Sequence, residues 1–173
     1  MNNLLTDDTK AILLLCGVFG NDRQINPLTQ TQYNRLARWL NSERMRPNDL
    51  LEQENIDTAA TGAEIDAEQL RGLLGRGVQL GFAVEEWQRN GIWVIGRSDR
   101  DYPERYKRHL KTQSPPLIFG IGNRALLHGG GLAVVGSRDA DDADGAFFTR
   151  KTARSCVHGG MPVIFGGAGD IDG

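Results

Sequence analysis

Apolar residues occur along this chain in short bursts, and the spacing inside each burst predicts its element. Thr6-Asp7-Asp8 reads as a helix start with acids in the first turn, leading into Lys10 to Cys16 and stopping near Gly17–Gly20. Thr29 or Thr31 can cap a second helix in which Tyr33, Leu36, Ala37 and Leu40 recur at helical spacing. Pro47 opens a short helix over Asn48 to Glu52, while Asn55 to Ala63, small and polar, reads as a loop. Ile65, Leu70, Leu73 and Leu74 predict a helix that ends at Gly75, and Gly77 opens another carrying Val78, Phe82 and Trp87. Residues 1–88 therefore read as a small all-helical module.

At Asn90-Gly91 the pattern changes. Ile92-Trp93-Val94-Ile95 comes after a turn signal as a strand, and Asp101-Tyr102-Pro103 leads into a basic helical stretch with Arg105, Lys107, Arg108 and Lys111. Pro115-Pro116 holds extended backbone into a second strand, Leu117-Ile118-Phe119, and a short helical piece from Asn123 to Leu127 ends at three glycines. Leu132 to Val135, apolar on both faces as a strand covered by helices should be, runs into Gly136-Ser137-Arg138. A helix with Phe147, Phe148, Ala153 and Val157 comes next, then Pro162 to Phe165 and Gly166-Gly167-Ala168-Gly169-Asp170-Ile171-Asp172-Gly173. Strand, loop, helix, strand, loop is half of a doubly wound α/β domain, and such sheets bind ligands at the carboxyl ends of their strands.

Charge changes this picture modestly. Residues 1–87 carry 13 acids and 8 bases, whereas residues 88–173 carry 9 acids and 12 bases. The basic surplus lies on the glycine-loop half and suits a phosphate-bearing partner. Gly136 and Ser137 let the backbone approach a ligand, and Arg138 offers a planar cation for phosphate. Asp139, Asp141, Asp142 and Asp144 then stabilise the start of the next helix, which directs any anion toward Ser137 and Arg138. Cys16 and Cys156 read as reduced, buried thiols, and His109, His128 and His158 have no metal-ligand spacing. The acidic start and the short apolar run Ala11 to Phe19 match neither a signal peptide nor a membrane span, so the cytoplasm is the expected location.

Two rival motifs compete with the glycine loops. Gly120-Ile121-Gly122-Asn123-Arg124-Ala125 fits a dinucleotide-binding G-x-G-x-x-A, with Asp139 as a ribose acid, but too few helical residues lie between it and the glycines for a crossover. No cofactor is therefore expected. Leu74-Gly75-Arg76-Gly77-Val78 is similar to the hairpin of helix-hairpin-helix DNA-binding modules, although an ordinary helix-to-helix turn accounts for its glycines as well. The N-terminal module is thus SAM-like or helix-hairpin-helix-like. No constellation for catalysis emerges, because Ser137 has no histidine base nearby in sequence.

The order of motifs resembles one known family. Gly91 to Ile95, Asp101-Tyr102-Pro103, Pro115-Pro116 through Asn123, Val134 to Arg138 and Gly166 to Gly173 together resemble the DNA-processing protein A family (DprA, also called Smf). The resemblance covers about residues 90–173. It implies a partial extended Rossmann-like domain over residues 89–173 with parallel strands. It further implies a non-enzymatic protein that binds single-stranded DNA and assists a RecA-type recombinase in natural transformation. Carried over, Gly136, Ser137 and Arg138 form one side of the DNA pocket, and Gly166, Gly167 and Ala168 form the opposing loop. Where the family's second loop has a serine, a basic residue and a glycine, this chain has Phe165, Gly169 and Asp170. The family continues for about half a domain more, including its dimerisation surface, so a truncated or diverged member is expected, with a homodimer depending on that surface. Two alternatives stand beside this reading: a nucleotide-hydrolysing Rossmann-like protein of the lysine-decarboxylase-like type, and a non-functional fragment.

Overall fold

The structure is a computed structural model and describes residues 5–19, 25–135 and 143–166. It divides into two compact units, residues 1–122 and 123–173. The change of pattern at residue 90 is therefore not where the units part; the first two strands fold with the helices.

The first unit is built around helix α1 (Asp7–Cys16), with Thr6 as N-cap accepting from the Thr9 backbone N–H. Ala11 through Leu15 are all buried, so this helix is apolar around its circumference, as a central helix must be. Its two sides serve two cores. Ile12 and Leu15 join Tyr33, Leu36 and Leu40 of α2 (Gln30–Ser42), Ile56, Ala59 and Ala60 of α3 (Gln53–Ala63), and Leu70 and Leu73 of α4 (Ala67–Leu74). Leu13 and Leu14 face the other way, toward Phe19, Leu80 and Ala83 of α5 (Gly77–Arg89) and Val94 of the first strand. A 3-10 turn, Pro47–Leu51, is held to α1 through buried Asp8, which accepts from Arg46 Nε at 2.9 Å and from the Asn48 backbone N–H at 3.1 Å.

Helix α3 corrects the expectation of a loop over Asn55 to Ala63. Ile56, Ala59, Ala60 and Ala63 recur at i, i+3, i+4 and i+7, and all four are buried. The polar and small residues between them hid this stripe. Helix α5 also differs in aspect. Leu80 and Ala83 face the core, while Val78 and Phe82 are 71% and 70% exposed. The sequence carries two candidate apolar faces there, and packing chose one.

Strands β1 (Ile92–Gly96) and β2 (Leu117–Ile121) form an antiparallel pair, running from Ile92 opposite Ile121 to Gly96 opposite Leu117. The connection between them carries α6 (Glu104–Leu110) and a 3-10 turn at Lys111–Gln113. An aromatic chain ties strand to helix: Phe19 meets Trp87 edge-on at 6.3 Å, and Trp87 meets Phe119 at 5.2 Å.

In the second unit, a 3-10 turn (Arg124–His128) precedes β3 (Leu132–Ala133), α7 (Ala143–His158) and β4 (Val163–Ile164). Strands β3 and β4 pair in parallel, Leu132 opposite Val163 and Ala133 opposite Ile164. This βαβ element is the repeating piece of doubly wound sheets, and the fold as a whole is mixed α/β with a helical region ahead of the strands. The expected covering of Leu132 to Val135 on both faces is not met. Only Leu132 and Ala133 are in the strand, and Val135 is 89% exposed. Among the described residues of this unit none is buried, because one helix on a two-stranded sheet covers too little surface.

Candidate nucleic-acid interface

The geometry that matters is at the carboxyl ends of β3 and β4. Parallel pairing sends both chains out of the same edge of the sheet. The Leu132 N–H donates to Pro162 O and the Val134 N–H donates to Ile164 O, each at 2.9 Å, so the pairing reaches Val134 and Ile164, each two residues before its loop glycine. Neighbouring strands lie about 4.8 Å apart, so the two loops begin within reach of one phosphate. Gly136, Ser137, Arg138, Gly167 and Ala168 lie outside the described residues. Gly166 is described and stands exposed, two residues past the end of β4. The structure thus brings the stems of the two loops together. Helix α7 adds Arg150, Lys151 and Arg154, all exposed, which the sequence reading did not single out; their signal was the run of bases within one helical turn.

The rival dinucleotide motif is accounted for by local packing. Gly120 and Ile121 belong to β2, which pairs antiparallel with β1. A Cβ on Gly120 would run into the Trp93 ring, and Trp93 Nε1 donates to Gly122 O at 3.0 Å. The chain then enters the five-residue 3-10 turn, opened by Asn123 accepting from the Ala125 N–H. No crossover helix begins there, so the glycines serve the tryptophan and the turn.

The helical hairpin Gly75-Arg76-Gly77 is likewise explained from within. Arg76 is 5% exposed and turns inward. Its guanidinium donates to Leu14 O, to Gly17 O at 3.3 Å and, through Nε, to Leu73 O at 3.3 Å, and it lies 4.6 Å from the centre of the Phe19 ring. One cation therefore answers the carbonyl-rich C-termini of α1 and α4, where positive charge is favoured. A side chain so placed is a structural clamp.

The segment from Arg97 to Ser114 is pinned to the helices by residues that the sequence reading named only in part. Asp99, which it did not single out, accepts from Thr6 Oγ1 at 2.5 Å, Thr9 Oγ1 at 2.6 Å and the Gly96 N–H at 2.9 Å. The signal was an aspartate three residues after a strand end, the spacing of a side-chain-to-backbone turn. Tyr102, from the Asp101-Tyr102-Pro103 motif, is buried and donates to Pro115 O at 2.8 Å. Arg97 lies over the Tyr33 ring at 4.6 Å and donates to Asn34 Oδ1 at 2.8 Å. Burial raises the Tyr33 hydroxyl well above its ordinary range, although Arg97 pulls it back, and it pushes the Cys16 thiol up to about 12. Cys16 is thus an unreactive, structural thiol. Among the described residues, no three His, Cys, Asp or Glu side chains come together to hold a metal, and no helix is long and apolar enough to cross a membrane.

No curated protein and no solved structure matches this chain. A family model does. From inside β1 onward, residues 93–173 match the family model of DNA recombination-mediator protein A, the family that the motif order resembles.

Proposed function

We propose that this chain binds single-stranded DNA without chemically altering it, using the two glycine loops that leave the paired ends of β3 and β4. Arg138 contacts a phosphate, while Gly136 and Ser137 on one side and Gly166, Gly167 and Ala168 on the other let the backbone close on the strand. The observation that carries this reading is the parallel register of β3 and β4, which starts both loops at one edge, inside the stretch matched by the recombination-mediator family. In this role the protein holds a strand for a RecA-type recombinase, in the cytoplasm. The departures at Phe165, Gly169 and Asp170 leave Arg138 as the main cation of the pocket.

Anisotropy of a labelled single-stranded oligonucleotide tests the reading. Replacing Arg138 by Ala removes one charge-assisted contact of about 1.5–3 kcal/mol, which weakens binding roughly ten- to hundredfold. The slope of log K against log salt becomes shallower by about 0.7. Equal affinity and equal slope in the parent and Arg138→Ala would remove Arg138 from the pocket.

A further inference from the structure

The first unit carries a cationic surface that the glycine loops do not use. Half of the twelve bases between residues 88 and 173 fall in the short span from Arg97 to Lys111, together with three acids. The acids Asp99 and Glu104 are engaged within the fold: Asp99 by two threonine hydroxyls and a backbone N–H, Glu104 by Lys107 at 3.3 Å. Arg97 is turned inward onto Tyr33 and Asn34. Asp101 also stands exposed, but the outward-facing bases Arg100, Arg105, Arg108 and Lys111 outnumber it. Arg105, Arg108 and His109 stand at i, i+3 and i+4 on one face of α6, all exposed, and exposed Lys111 stands just past its end.

Tertiary contacts extend this surface to a distant part of the chain. Gln30 and Asn34 of α2 donate to Thr112 O at 3.2 and 2.6 Å, and Gln30 donates to Ser114 O at 2.8 Å. The α2 face that meets the segment after α6 continues one turn on to Arg38, which is exposed. Among the described residues, Arg38, Arg108 and Lys111 form no ion pair.

A purely structural account would have these bases answer the C-terminal dipole of α6. That account covers Lys107, Arg108 and His109, which lie in the last turn. Arg105 sits in the first turn, four residues after exposed Asp101, and is engaged within the fold. The α6 dipole does not account for Arg38, which belongs to another helix.

We propose that Arg105, Arg108 and Lys111, flanked by Arg38, form a second contact for the phosphate backbone of a nucleic-acid strand. This surface is separate in sequence from the glycine loops and rests on the reading that the chain binds DNA. It attracts the strand by charge without reading its bases. Its occupant is a polyanion, because several like charges in a row match a repeating phosphate and no single small anion.

The test compares four full-length proteins on one single-stranded oligonucleotide across a salt series. They are the parent, Arg105→Gln/Arg108→Gln/Lys111→Gln, the Arg138→Ala variant, and Lys10→Gln/Arg44→Gln/Arg89→Gln, which removes the same charge elsewhere. The α6 triple variant is expected to bind about tenfold more weakly or worse, with a salt slope shallower by about 2. The control triple should stay within about twofold of the parent. Tryptophan fluorescence checks folding, and should the triple unfold, Arg108→Gln alone is expected to reduce the slope by about 0.7. An unchanged α6 variant beside a weakened Arg138→Ala overturns this second surface and leaves the loop reading standing. A weakened α6 variant beside an unchanged Arg138→Ala does the opposite. Equal losses in the α6 and control triples reduce the effect to overall charge and overturn the proposal.

Discussion

Replacing Arg76 by Met should cost the first unit on the order of 3 kcal/mol. The parent guanidinium is buried, donates to carbonyls of Leu14, Gly17 and Leu73, and stacks on Phe19. Hydrogen bonds from a charged donor contribute about 1.5–3 kcal/mol each, and a desolvated cation–π contact contributes up to about 2. Against this, burying the guanidinium costs several kcal/mol, and the substitution relieves that cost. Methionine fills most of the space but leaves carbonyls at two helix ends without this donor. The difference is a net loss of about 3 kcal/mol, a large fraction of a typical domain's stability of about 5–15. All three tryptophans, Trp39, Trp87 and Trp93, lie in residues 1–122, so urea unfolding followed by their fluorescence reports on this unit. With an m value near 1.5 kcal/mol per molar urea, the midpoint should fall by about 2 M. Arg76→Lys keeps the charge but loses the planar fork and should fall between the two. The same variant separates clamp from DNA contact: at a temperature where Arg76→Met is folded, its salt slope for oligonucleotide binding should equal the parent's. A midpoint shift under about 0.5 M, or a shallower salt slope in the folded variant, would refute the clamp.

Two further outcomes rest on the same geometry. A Cβ at Gly62 would overlap Trp39 Nε1, so Gly62→Ala should push α3 from α2, destabilise by about 1–3 kcal/mol and shift Trp39 emission to the red; unchanged emission and stability would mean the contact is not tight. Stability should also fall in alkali. Burial raises Cys16 from 9.0 to about 12 and raises Tyr33 and Tyr102, so the unfolded chain releases its protons first. Stability is then complete below about pH 9 and declines as pH rises toward the folded values, by at most about 1.4 kcal/mol per unit for each group. Urea midpoints at pH 7.5, 9 and 10.5 should drop in turn, and Cys16→Ala should lessen the drop; a flat series would contradict the burial of these groups.

Much of the chain was legible from local rules. Thr6 and Thr29 mark the starts of α1 and α2, and the Thr29–Gln32 capping box is a signal confined to four residues. The order of apolar runs and glycine loops that announces β3, α7 and β4 is local too. So is the motif series that resembles the recombination-mediator family, which the match over residues 93–173 bears out. The candidate site was legible as two loops. Its stems proved adjacent and parallel, while most of the loop residues themselves lie outside the described structure.

What only the tertiary structure decided depends on partners distant in sequence. Residues 53–63 fold as helix α3 because α2, α4 and the Pro47–Leu51 turn cover the stripe from Ile56 to Ala63, and no local signal announces that cover. Antiparallel pairing of β1 with β2 was undetermined by their composition, since apolar runs of this length suit either direction. Arg76 reads only as part of a helix-to-helix turn until the ends of α1 and α4 are seen to converge on it. The joining of Arg38 to the α6 cations likewise exists only through the hydrogen bonds from α2 to residues 112–114. Periodicity and capping act within a few residues of backbone, so the sequence alone determines where elements begin and which faces can be buried. Burial, strand direction and the pooling of charge arise between elements, so only the folded chain decides them.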